Sequence, residues 1–126
     1  MSRQHVSSGG AWEAQVGYAR AVRVGPTVHL SGTTAPGADA RAQTEAIFEI
    51  AEKALAALGA RLEDVVRTRM YVIDIEKDWP AIAEVHQARL GKTPPAATMV
   101  QVAKFIAPEV KVEIEMEAII PGQSSL

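Results

Sequence analysis

Val112-Glu113-Ile114-Glu115-Met116-Glu117-Ala118-Ile119-Ile120 is the stretch that decides how this chain folds. Apolar residues at 112, 114, 116 and 118 alternate with carboxylates at 113, 115 and 117, the period of two that belongs to a strand. One side of that strand faces a core, and the other presents three acids roughly 7 Å apart at the usual strand rise. A strand of this kind needs neighbours in a sheet and a second layer over its apolar side. Its acidic side is either a solvated face or an assembly surface on which Arg67 and Arg69 neutralise the acids.

The neighbours are found by working outward. Residues 97–106 form a strand with Ala97, Met99, Gln101 and Ala103 on one side and Thr98, Val100, Val102 and Lys104 on the other. Ala107-Pro108-Glu109 turns it into the final strand, 110–120. Residues 65–75 alternate again, with Val66, Thr68, Met70 and Val72 opposite Arg67, Arg69, Tyr71 and Ile73. Gly25-Pro26 separates two short runs, 18–24 and 27–34, as a hairpin.

Two helices fill the intervals. Asp39 caps one over 40–58, with Ile47, Ile50, Ala51, Ala54, Leu55 and Leu58 at helical spacing and Gly59 as the stop. Asp78 is expected to cap the other, with Pro80 in its first turn, Ile82, Val85 and Leu90 facing inward, and Gly91 at its end. The order is ββαβαββ. The expected fold class is α+β, one mixed sheet with both helices on one face, in a single domain over residues 1–126. Residues 1–15 read as an N-terminal arm and 121–126 as a flexible tail.

Composition narrows the chemistry. With 13 basic and 15 acidic residues the formal charge is −2, which gives nucleic acid no general attraction. Zero cysteines exclude disulfides, thiolate metal sites and cysteine nucleophiles. His5, His29 and His86 match no zinc spacing, and Asp74, Glu76 and Asp78 start like a calcium loop but meet Trp79 where glycine is needed. No metal and no cofactor are expected. The first fifteen residues hold no uninterrupted apolar run, and no segment reaches the roughly 20 apolar residues of a membrane helix. A cytoplasmic location is the default. His29 and Ser31 would share a strand face, but no nucleophile elbow and no third partner accompany them. His86 fits both a ligand-side proton carrier and a partly buried helical histidine, and Trp12 reads as rim or core packing.

Gly17-Tyr18-Ala19-Arg20-Ala21-Val22-Arg23-Val24-Gly25, Leu30-Ser31-Gly32-Thr33-Thr34, Arg67-Thr68-Arg69-Met70-Tyr71-Val72, Pro95-Ala96-Ala97-Thr98 and Val112-Glu113-Ile114-Glu115 stand in a familiar order. From Gly17 to Ile120 the chain resembles the RidA/YjgF family. The resemblance implies a chorismate-mutase-like fold and a homotrimer, with small-molecule clefts at the subunit boundaries. Its best-known branch hydrolyses 2-imino or enamine acids to 2-keto acids and ammonia, and some members are associated with ribonuclease or translation-inhibiting activity. By the same resemblance, Tyr18 and the backbone of Ser31 and Gly32 shape the cleft, and Glu113 holds the attacking water.

One position departs from that pattern. The branch anchors the substrate carboxylate with an arginine where this chain has Ala97, and a cysteine of the branch is here Met99. Without a guanidinium a desolvated carboxylate loses two charge-assisted hydrogen bonds, so the expectation moves to an altered imine or enamine deaminase or related hydrolase. A non-catalytic metabolite-binding trimer is the alternative. Thr98 and Gln101 suggest a neutral polar ligand, His86 borders the expected cleft, and Arg20, Arg69 and Lys104 are the cations on nearby elements.

Overall fold

The alternating stretch becomes an interior strand, paired along both of its edges. The computed structural model describes residues 2–122. Its strands are β1 (Arg3–Val6), β2 (Ala21–Val24), β3 (Thr27–Thr33), β4 (Val65–Val72), β5 (Ala96–Gln101) and β6 (Val112–Ile119). Its helices are α1 (Ala11–Val16), α2 (Ala40–Ala57) and α3 (Ile75–Leu90). The sheet order is β1-β2-β3-β6-β4-β5, with β4 and β5 parallel and every other pair antiparallel. The mixed sheet read from the sequence is therefore present, with one strand more than expected.

Val112, Ile114, Met116 and Ala118 are all buried, as the alternation requires. They share one core with the apolar stripe of α2, whose buried residues include Ile47, Phe48, Ala51, Ala54 and Leu55, and with the inner residues Ile82, Val85 and Leu90 of α3. Fully burying each such aliphatic side chain contributes about 1.5–3 kcal/mol. Gly25 takes φ +60° in the two-residue loop that pairs Val24 with Thr27, a conformation glycine adopts without steric cost.

Four expectations change. The arm at 1–15 adds a strand and a helix to the expected element order: Arg3–Val6 pairs antiparallel with β2, and Ala11–Val16 forms a helix that buries none of its residues. Four strand residues without apolar alternation gave no period to detect. The cap of α3 is Asp74, which accepts from the Lys77 N–H at 3.3 Å, and Pro80 lies inside the helix. Its missing N–H and ring affect only the exposed side of the first turns, where Glu76 and Pro80 both face water. Val66 points outward, 43% exposed, because the β4–β6 register slips between Val65 and Arg67 and a bulge inverts the parity. The strand expected over 97–106 leaves the sheet after Gln101. Of the expected tail, residues 123–126 lie outside the described residues.

Gln43 is a buried polar residue on the inner side of α2. Its amide nitrogen donates to the carbonyls of Gly37 at 3.2 Å and Glu109 at 3.0 Å, and its oxygen accepts from the Lys111 N–H at 2.9 Å. One side chain thus pins the loop between β5 and β6 to the helix layer. Gln43→Ala leaves three backbone groups without their partner, so we expect a loss of about 2–4 kcal/mol in urea unfolding. A loss below about 0.5 kcal/mol would mean that water replaces the amide.

Candidate active site

Strand β6 sets three carboxylates on the sheet face that the helices do not cover, and their surroundings differ. Glu117 accepts from Arg69 Nη1 at 3.0 Å, with His29 Nδ1 at 4.0 Å. Glu115 accepts from the Tyr71 hydroxyl at 2.9 Å and lies 3.5 Å from the same arginine nitrogen. Glu113, which pairs across the strands with Tyr71, makes no hydrogen bond and no ion pair among the described residues. Arg67 does not reach the acids, since its Nη2 donates to Thr98 Oγ1 at 2.7 Å. Of the two arginines expected to neutralise the acidic face, only Arg69 does so.

The half-buried Glu113 carboxylate rests on Gly32. A Cβ placed there would stand 2.8 Å from Glu113 Oε2, so only glycine lets the acid lie flat on β3. Burial pushes the Glu113 carboxyl above the ordinary carboxylate range, repulsion from Glu115 adds to the rise, and the positive charge of Arg20 opposes it.

Around this acid lies a cleft of about 750 Å³. It is lined by Trp12 and Val16 of α1 with Tyr18, by Ser31, Gly32 and Thr34 of β3 and the residue after it, and by Lys104, Phe105 and Ile106 of the loop that follows β5. Trp12, expected as packing, is 51% exposed here. A second hollow of about 790 Å³ on the far side of Tyr18 has Glu13 as its carboxylate, and Glu13 is already held by Ser7 Oγ at 3.0 Å and the Ser8 N–H at 2.6 Å. The unpartnered acid singles out the first cleft.

Ser31 is tied down. Its hydroxyl donates to the Ala19 carbonyl at 2.6 Å and its N–H to the Arg20 carbonyl at 3.0 Å, while His29 faces Glu117, so the two do not pair. Arg20 Nη1 donates to Thr33 Oγ1 at 2.9 Å and to the Gly32 carbonyl at 3.5 Å, and Arg20 lines the cleft.

The other expected ligand residues lie elsewhere in a single copy of the chain. Ala97, Met99 and Gln101 pair in register with Thr68, Met70 and Val72, placing them on the helix side of β5. Gln101 Oε1 accepts from the Ile75 N–H at 3.0 Å. Thr98 is on the open face, held by Arg67. His86 Nε2 bonds with Thr68 Oγ1 at 2.9 Å beside the edge of Phe48, and burial lowers its pKa. Tyr18, Ser31, Gly32 and Glu113 are the four that come together. Among the described residues, no three His, Asp or Glu side chains are grouped to hold a metal ion, and no helix is long and apolar enough to cross a membrane.

A family model described as endoribonuclease L-PSP matches residues 9–120. The chain belongs to that family. Solved structures with the same fold carry the YjgF and RidA names. Rv2704 of Mycobacterium tuberculosis, a member of the YjgF/YER057c/UK114 family, superposes with a TM-score of 0.92 at 50% identity, covering 94% of this chain and 100% of that one. RidA from Psychrobacter gives 0.78 at 31%, covering 92% and 94%. A RutC family protein of Pyrococcus abyssi is 31% identical over 81% of this chain and 84% of its own. The YjgF fold that the family resemblance implies is thereby established, and so is the RidA/YjgF membership.

For this RidA/YjgF chain the raised pKa of Glu113 has a sign that can be checked. A carboxyl that binds its proton more tightly folded than unfolded loses stability as pH rises from the unfolded toward the folded pKa. Glu113→Gln is therefore expected to raise Tm at neutral pH and to leave it unchanged below about pH 4, near the ordinary carboxylate pKa. A stabilisation that persists undiminished at low pH would contradict it.

Proposed function

We propose that this protein is a small-molecule hydrolase of the RidA/YjgF scaffold, acting on a C=N or related bond, with Glu113 as general base. The reading is carried by Glu113 being the acid of β6 without a partner, inside a cleft. A carboxylate used for structure is bound, as Glu115 and Glu117 are; one free at a cleft floor is available to a water molecule. The water adds to the imine carbon while Glu113 takes its proton, and the proton passes to nitrogen. The carbinolamine then collapses to a carbonyl compound and ammonia. A base near the operating pH works best, and the elevated pKa moves Glu113 in that direction.

The ribonuclease activity named in the family description has less support here. Arg41, Arg61, Arg69 and Arg89 are each paired with glutamates, which leaves those charges unavailable to phosphates.

The test is ammonia release from a panel of imines generated in solution, with and without carboxylates. Wild type should exceed the uncatalysed rate, and Glu113→Gln should lose about 10²–10⁴-fold. The rate should fall on the acid side through a pKa above the usual carboxylate value of 4.5. Uniformly uncatalysed rates would overturn the hydrolase, and saturable binding without turnover would turn the protein into a metabolite receptor.

We also propose that the working unit is a homotrimer. Val66, Val100 and Ile119 are 43%, 42% and 49% exposed, and Val100 and Ile119 lie on the sheet face opposite the helices. Edge strand β5 also has no outer neighbour. Light scattering should return three chains of 13.5 kDa each; a stable monomer would remove the assembly.

A further inference from the structure

The donors of β4 reach β6 one step out of register. Tyr71 pairs across the strands with Glu113, yet its hydroxyl donates to Glu115 Oε1 at 2.9 Å. Arg69 pairs with Glu115, yet its Nη1 donates to Glu117 Oε2 at 3.0 Å and stands 3.5 Å from Glu115 Oε1. Arg67, opposite Glu117, turns the other way to Thr98 on β5. The diagonal offset gives Glu115 a hydroxyl and a cation, and it leaves Glu113 with no hydrogen bond and no ion pair among the described residues. Both acids line one cleft, two residues apart on the same strand face and so roughly 7 Å from each other at the usual strand rise. Like charges that close disfavour one another, and the proton goes to the acid with the poorer support. Glu115 is the supported one. The Tyr71 phenol stays protonated as its donor, because burial, the hydrogen bond to Glu115 and the charge of Glu115 all push its pKa up.

We infer that Glu115 is a positioning residue for the base of the proposed hydrolysis: fixed by Tyr71 and Arg69, it keeps a constant negative charge beside Glu113 and so makes Glu113 the acid of the pair that exchanges protons with water. Tyr71 acts one step further back, by holding Glu115 where it faces its neighbour. The other charged and titratable groups of this cleft are Tyr18 and Arg20, which precede β2, and Lys104 of the loop after β5. Burial raises the Glu113 carboxyl most, Glu115 adds to the rise, and Arg20 opposes it. This inference deepens the reading of Glu113 as general base and rests on it.

Carboxyl titration of the full chain by NMR, with isotope-labelled glutamate and the Glu113 signal identified by its loss in Glu113→Gln, tests the assignment. Glu115→Gln keeps an acceptor for Tyr71 and removes only the charge. Glu113 should then titrate at lower pH than in wild type, and the acid limb of imine hydrolysis should move to lower pH with it. Glu117→Gln removes an equal charge roughly 14 Å away, beyond the Debye length at ordinary salt, and should move the Glu113 midpoint less. Tyr71→Phe leaves Glu115 free to turn toward Arg69, so the midpoint should move part of the way in the direction that Glu115→Gln takes it. A Glu113 midpoint that keeps its wild-type position in Glu115→Gln, or that moves as far in Glu117→Gln, would overturn the inference, the second because it is the mark of a general loss of charge. A wild-type midpoint in Tyr71→Phe would remove Tyr71 from it. The titration needs no substrate. The expected shifts in a protein without imine turnover therefore leave the coupling of Glu115 to Glu113 standing and remove the hydrolase; turnover with an unmoved midpoint does the reverse.

Discussion

β6 is hydrogen-bonded along both edges, to β3 on one side and β4 on the other, and the rest of the molecule is arranged around that constraint. Both of its neighbours run antiparallel to it, so β3 and β4 are parallel to each other and α2 must carry the chain from the end of one back to the start of the next. The strict alternation of β6 then divides the sheet into a covered side and a bare side. Val112, Ile114 and Met116 join the helices in one core, and the same backbone delivers Glu113, Glu115 and Glu117 to the opposite surface.

Position along β6 then separates structure from chemistry. Toward its C-terminal end the acids lie beside Arg69 and Tyr71, whose side chains satisfy them. Toward its N-terminal end Glu113 pairs across to Tyr71, whose hydroxyl goes to Glu115 instead, and on the β3 side stands Gly32, which offers no side chain at all. The register break between Leu30 and Thr33 falls at this place and spoils the regular pairing of β3 with β6. An acid with no donor and a strand with an irregularity coincide, and the cleft is the space that results.

Much of this was legible in the residues. The periods of 112–118 and 40–58 named their own elements, because each repeats long enough to exclude the other periodicity. Glu113 and Gly32 were found through the resemblance, but the steric reason that joins them needed coordinates. Four facts escaped. β1 has too few residues to show a period, and the Val65–Arg67 bulge leaves no mark in residue type. Asp74 and Asp78 are equally good caps on paper. Gln43 reads as an ordinary polar residue on a helix until its three backbone partners, two of them more than sixty positions away, are seen. The cations Arg20, Arg69 and Lys104 are visible as charges; that Arg69 is the one bound by glutamates is a property of the fold.

The short helix α1 forms a wall of the cleft while burying none of its own residues, and glycines stand at both of its ends. Opening free energy follows buried contact, so displacing this wall leaves the central core intact. For the ligand proposed above, admission and departure are in that way uncoupled from global unfolding. The molecule can hold a rigid floor beneath Glu113 and still exchange what lies above it at a rate set by a few surface contacts.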